Sequence, residues 1–179
     1  ENESNKRRAI IGEAVTAIDV IGNQYFENQA IRRDNALANL ESQKEFDATL
    51  RNLDASKHNF AYEEGKWSLK ELVQHTIDTE RVFTYRALCF ARNDKTDLPG
   101  FDQDIFTQND DSNSRKFEDL LNEMKVVRES SIALFKSFSD EVLERIGVAS
   151  NNKMSVRALG YLFSCHQIHH LNIVKERYL

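Results

Sequence analysis

The chain has 179 residues, 40% of them hydrophobic and 30% charged, which suits one soluble globular domain with a real core and excludes a disordered chain. Its 24 basic and 29 acidic residues leave a net charge of −5, so no concentrated basic face is on offer to a nucleic-acid backbone. No apolar run approaches the roughly 18 residues of a transmembrane helix, and no charged n-region with an apolar h-region opens the chain. The two cysteines, Cys89 and Cys165, make no disulfide framework, so a reducing cytoplasm is the expected setting.

One proline and six glycines favour long uninterrupted helices over a strand-and-turn fold. From about residue 5 to residue 53, apolar residues recur at helical spacing. Ile10, Ile11, Ala14, Ile18 and Ile21 form one stripe, and Leu37, Leu40, Phe46 and Leu50 form a second. Gly22 and Arg32-Arg33-Asp34-Asn35 mark candidate breaks between two helices. Residues 54–66 read as a loop. Ser68 and Glu71 then make a capping box, which predicts a helix running to about Arg92. Residues 93–113 carry Pro99-Gly100 and six aspartates and predict a long connection, of the length that is usually functional or mobile. Phe117, Leu120, Leu121, Met124, Val127, Ile132, Leu134 and Phe135 are the apolar set of a helix from about Arg115 to Ser137. A short helix from Ser139 to Ile146 follows, with Gly147 read as its C′ residue. A last helix starts near Ser155 and runs to the end. The expectation is an all-α protein, a four-helix bundle with an extra short helix and a long acidic loop.

Five histidines stand at positions 58, 75, 166, 169 and 170. On the last helix His170 lies about 40° around from His166 and one turn along, so the two imidazoles can converge on one ion. His169 lies about 60° to the other side of His166, and spacing alone leaves open which of His169 and His170 is its partner. Two histidines hold a metal weakly, so a third ligand must come from another element. His75 is the natural candidate, because its stripe of Leu72, Thr79, Val82 and Arg86 sets the imidazole beside apolar neighbours. Three neutral imidazoles with an open position suit zinc, and nickel, cobalt or iron would accept the same set.

The stretch from Glu64 to His75, its continuation from Ile77 to Leu88, Leu98 to Asp104, His166 to His170 and Glu176 to Leu179 together resemble the signature of the DinB/YfiT-like superfamily. The resemblance covers the chain from about Leu37 to its end, with residues 1–35 as a variable first helix of the same single domain. It implies a four-helix bundle, typically a homodimer, holding one divalent metal ion per chain, zinc or nickel foremost, through His75, His166 and His170. His169 then becomes a neighbour rather than a ligand. Where relatives often have glycine, this chain has Cys165, expected to be a buried filler like Cys89.

Around the site, Asp78 is weighed as a carboxylate behind a ligand histidine against a surface charge. Glu80 lies about 140° around the helix from His75, so it is expected to pair with an arginine such as Arg81 or Arg86 rather than act as a base. Arg86 is expected to anchor a buried carboxylate or the acidic loop. Trp67 is read as an end-of-bundle aromatic or a lining of the pocket mouth; Asp102 and Asp104 as loop charges that close over a substrate or pair with arginines. The resemblance implies a metal-dependent hydrolase, or a transferase joining a low-molecular-weight thiol to an electrophile, acting on a small molecule with no nucleic-acid or membrane partner. The alternative is a non-catalytic, stress-related bundle that holds a metal or another ligand.

Overall fold

The computed structural model of the chain describes residues 35–179. The expected stripe from Ile10 to Ile21, the break at Gly22 and most of the Arg32–Asn35 break lie outside the described residues, as does the variable first segment. Four main helices are present: α1 (Asn35–Arg51), α2 (Leu69–Ala91), α4 (Phe117–Lys136) and α6 (Val156–Ile173). Between them stand two short helices, α3 (Gln103–Gln108) and α5 (Asp140–Leu143), and one hairpin, β1 (Ile146–Ala149) and β2 (Asn152–Ser155). A π-helical turn, Val174–Tyr178, continues α6. Among the described residues no helix is long and apolar enough to cross a membrane.

Helix α2 is the centre of the bundle and packs along both α6 and α4. Its ends are fixed locally. The Ser68 hydroxyl accepts the Glu71 N–H at 3.2 Å, and the Glu71 carboxylate accepts the Ser68 N–H at 2.6 Å, the reciprocal box expected from the sequence. At the other end Asn93 takes a left-handed φ of 62°. Its N–H reaches the Phe90 carbonyl while that of Asp94 reaches Cys89, which is a Schellman ending with asparagine in place of glycine.

The core joins Phe46 and Leu50 of α1, Leu72, Val73 and Ile77 of α2, Leu120, Leu121 and Met124 of α4, and Leu171, Val174 and Tyr178 at the chain's end. Burying such side chains is worth about 1.5–3 kcal/mol each. Phe46 and Leu50 match the second expected stripe; the side chains of Leu37 and Leu40 lie outside what the structure describes. Tyr178 also donates its hydroxyl to the Trp67 carbonyl at 2.7 Å, tying the last turn of the chain to the start of α2.

Two expectations are corrected. Gly147 ends no helix: α5 stops at Leu143, and Gly147 lies in β1 opposite Met154. A Cβ there would sit 2.0 Å from a ring carbon of Phe90, so close approach of the strand to α2, rather than helix capping, requires glycine. Ser150 and Asn151, with φ of 51° and 63°, form the two-residue loop that suits a type I′ hairpin. The acidic connection is also not structureless. Leu98 pairs with the hairpin through its N–H to Val148 and its carbonyl to Ser150. Asp102 caps α3 by accepting the N–H groups of Asp104 and Ile105 at 3.0 and 3.1 Å.

Candidate metal centre

Helices α2 and α6 run antiparallel, and three imidazoles meet between them. His75 Nε2 lies 3.1 Å from His166 Nε2, and His170 Nε2 lies 3.0 Å from the same atom. His75 and His170 are each 6% exposed, while His166 is half-buried. His169 is exposed, its ring 5.1 Å from that of His170 and outside the cluster. The structure thus brings together the trio chosen on resemblance, and leaves the fourth histidine on the surface.

The donor geometry suits a metal. With metal–nitrogen bonds of about 2.0–2.1 Å, neighbouring ligand nitrogens stand about 2.9–3.4 Å apart, from octahedral to tetrahedral angles. The two measured separations fall in that range. Hydrogen bonding satisfies the arrangement only through a three-centre bond, with one His166 Nε2 lone pair shared by both neighbours. A neutral imidazole nitrogen either donates or accepts, so His166 Nε2 cannot donate to one neighbour and accept from the other. A cation receiving all three lone pairs resolves this. Protonation would resolve it in part, but burial opposes it: it holds the His75 pKa down at about 4, aided by the charge of His169, and holds His166 and His170 well below their usual value. The imidazoles are therefore neutral near pH 7, the form that ligates.

The support behind the ligands differs from expectation. His170 Nδ1 is buried without a hydrogen-bond partner, whereas metal-bound histidines usually donate this N–H. Asp78 does not reach a ligand histidine; it accepts from Gln74 Nε2 at 2.9 Å and lies 3.7 Å from Arg81. Trp67 is half-buried with its indole 4.7 Å from the His75 ring, both an end-of-bundle aromatic and a wall of the site. Phe83, which the sequence reading passed over, sets its ring 6.2 Å from His166. Its place one turn beyond Thr79 on α2 was the available signal.

Glu80 forms the expected structural ion pair, but with another arginine. Neither Arg81 nor Arg86 takes it; Arg128 of α4 does, donating from Nε at 2.8 and 3.0 Å and from Nη2 at 2.9 Å. Arg81 pairs with Glu123 at 2.6 Å. Arg86 anchors the acidic loop through the Pro99 carbonyl at 3.0 Å and adds the Ser150 hydroxyl at 2.9 Å. Cys165 is exposed rather than a buried filler, and Cys89 is half-buried; both are free. Asp102 serves as a helix cap, and no ion pair joins Asp102 or Asp104 to an arginine among the described residues.

Known proteins resemble the chain in sequence and fold. A protein of Oceanobacillus iheyensis, whose name gives metal-dependent hydrolase as an inferred activity, is 26% identical over 129 residues, 71% of this chain and 73% of its own. Among solved structures, YfiT from Bacillus subtilis, described as a probable metal-dependent hydrolase with an unusual four-helix bundle topology, superposes with a TM-score of 0.68. It is 16% identical, and the match covers 83% of this chain and 89% of YfiT. The mycothiol-dependent maleylpyruvate isomerase superposes with a TM-score of 0.65 at 10% identity, over 79% of this chain and 60% of the isomerase. At these identities the likeness is one of fold. The model of the DinB superfamily matches residues 39–174, and the chain therefore belongs to the DinB superfamily.

Proposed function

We propose that the protein is a metal-dependent enzyme acting on a small molecule, with His75, His166 and His170 holding one divalent ion, zinc or nickel. The observation that carries this reading is the gathering of three neutral imidazoles, with His75 Nε2 and His170 Nε2 3.1 and 3.0 Å from His166 Nε2 and all three ligand atoms within 4.8 Å of one another. The name of the Oceanobacillus relative supports it. Bound there, the ion would supply Lewis acidity toward a nucleophile or a substrate oxygen.

The chain's own residues set what else the site does. Three protein ligands, with no cysteine or carboxylate in the cluster among the described residues, leave room for a substrate, as catalytic rather than structural sites do. Trp67 and Phe83 set aromatic rings beside the histidines, 4.7 Å from His75 and 6.2 Å from His166. Glu80, locked by Arg128, is not free to move a proton, so no carboxylate base is at hand among the clustered residues. That favours a reaction whose nucleophile is acidified by the ion, water in a hydrolase or a low-molecular-weight thiol in a transferase. The hydrolase version has the relative's name in its support; the thiol version has the fold shared with the mycothiol-dependent isomerase. The homodimer typical of relatives belongs to the same proposal.

The test is a paired activity screen on metal-loaded protein: ester and amide hydrolysis, and conjugation of small thiols to electrophiles. One of the two should appear and should vanish in His166→Ala. Activity that persists in His166→Ala would defeat the proposal.

A further inference from the structure

Among the described residues two arginines are buried, and they are treated differently. Arg128, 1% exposed, is closed on a carboxylate by three hydrogen bonds to Glu80. Arg86, 5% exposed, has no carboxylate partner among the described residues. Its Nη2 donates to two neutral oxygens, the Pro99 carbonyl and the Ser150 hydroxyl, while Nε and Nη1 donate to nothing among the described residues. A guanidinium withdrawn from water without a counter-charge is costly, and burial alone lowers its pKa. A neutral donor such as glutamine could clamp a loop to a hairpin without that cost. What arginine adds is a fixed charge that recognises oxyanions.

The placement adds a direction. Arg86 is eleven residues after His75 on α2, within about 20° of the same face and about 16 Å along the axis. Side chains on a helix lean toward its N-terminus, here toward the histidines. Half-buried Phe83 stands between the two: its ring is 5.9 Å from the Arg86 guanidinium carbon and 6.2 Å from the His166 ring, which bounds their separation at about 12 Å. On the same stripe, the Thr79 hydroxyl is buried without a partner, a second polar group unsatisfied by the protein.

We propose that Arg86 is an anion subsite: it holds a carboxylate or phosphate oxygen of an acidic small molecule that lies over Phe83 with its reacting end at the three histidines. The substrate-class part of this statement rests on the enzyme reading above; the anion site itself does not. Pro99 and Ser150 fix the guanidinium so that its remaining N–H groups face the ligand.

The test uses the full chain with arginine side chains labelled for NMR, titrated with succinate and separately with inorganic phosphate at constant ionic strength. The Arg86 guanidinium signals should shift saturably with at least one of the two, whereas sodium chloride should leave them in place. The same binding should persist in His75→Ala and should weaken roughly tenfold or more in Arg86→Gln. Which anion binds more tightly identifies the source of the oxygens. An Arg86 signal that neither anion moves in the wild type would overturn the proposal, as would unchanged affinity in Arg86→Gln. The wild-type titration stands even where Arg86→Gln fails to fold. Metal content measured on the same wild-type and His75→Ala samples judges the metal reading separately.

Discussion

Replacing Glu80 by glutamine should unfold the bundle more readily while leaving all three candidate metal ligands in the chain. The change takes away the carboxylate that accepts three hydrogen bonds from the Arg128 guanidinium, 1% exposed, while the fold around it stays the same size. Breaking a buried ion pair from one side costs about 3–5 kcal/mol, against a total stability of about 5–15 kcal/mol for an ordinary domain. In a chain of this length each kcal/mol moves the melting temperature by about 2–4 °C, so Glu80→Gln should melt roughly 6–20 °C lower. Replacing both partners, as in Glu80→Leu with Arg128→Met, removes the buried charge and should recover most of the loss. Denaturant titration and thermal melts on the two variants and the wild type measure this, with metal content recorded on each sample. A Glu80→Gln protein within about 1 kcal/mol of wild type would refute the reasoning. Unchanged stability with activity lost would move Glu80 from structural pair to catalytic base.

Two further outcomes follow from the fold and the histidines. Gly147→Ala would place its Cβ 2.0 Å from the Phe90 ring; neither β1 nor that ring has room to give, and a loss of about 1–3 kcal/mol is expected in a denaturant titration. In metal-free protein, His75 has a folded pKa of about 4 against an unfolded value of about 6.5. Between those values the unfolded chain binds the extra proton, so stability is full above about pH 6.5 and falls as the pH drops toward 4. His75 alone contributes about 3 kcal/mol over that window, and His166 and His170 act in the same direction. Melts of metal-free wild type and His75→Ala across this range check it, the variant showing the shallower decline.

What the sequence made legible was mostly local. The Ser68–Glu71 box is read three residues apart, and the structure forms it. The bundle's helices follow from apolar spacing, with their ends within one or two residues. The pair His166 and His170 is legible from helical geometry, but the choice over His169 is not. It depends on which face of α6 turns toward α2, and only the family resemblance spoke to that. The misses are pairings across the chain. Glu80 finds Arg128, 48 positions away, because α4 packs against α2, and nothing beside Glu80 announces it. Gly147 looked like a helix stop because glycine serves both helix ends and close backbone approaches. Its true role needed Phe90, 57 residues earlier. The Ser150-Asn151 turn did leave a signal, since asparagine tolerates left-handed backbone, but strands of four residues give too little alternation to register. Cys165 was assigned by the habit of free cysteines, and the outer face of α6 decided otherwise.

The central claim is that His75, His166 and His170 hold one ion together. Elemental analysis of untagged protein, refolded or dialysed with zinc and nickel and then freed of loose metal, tests it directly. About one equivalent per chain is expected in the wild type and in His169→Ala, and little or none in His75→Ala, His166→Ala and His170→Ala. Full metal content in His75→Ala, or none in the wild type, would contradict it.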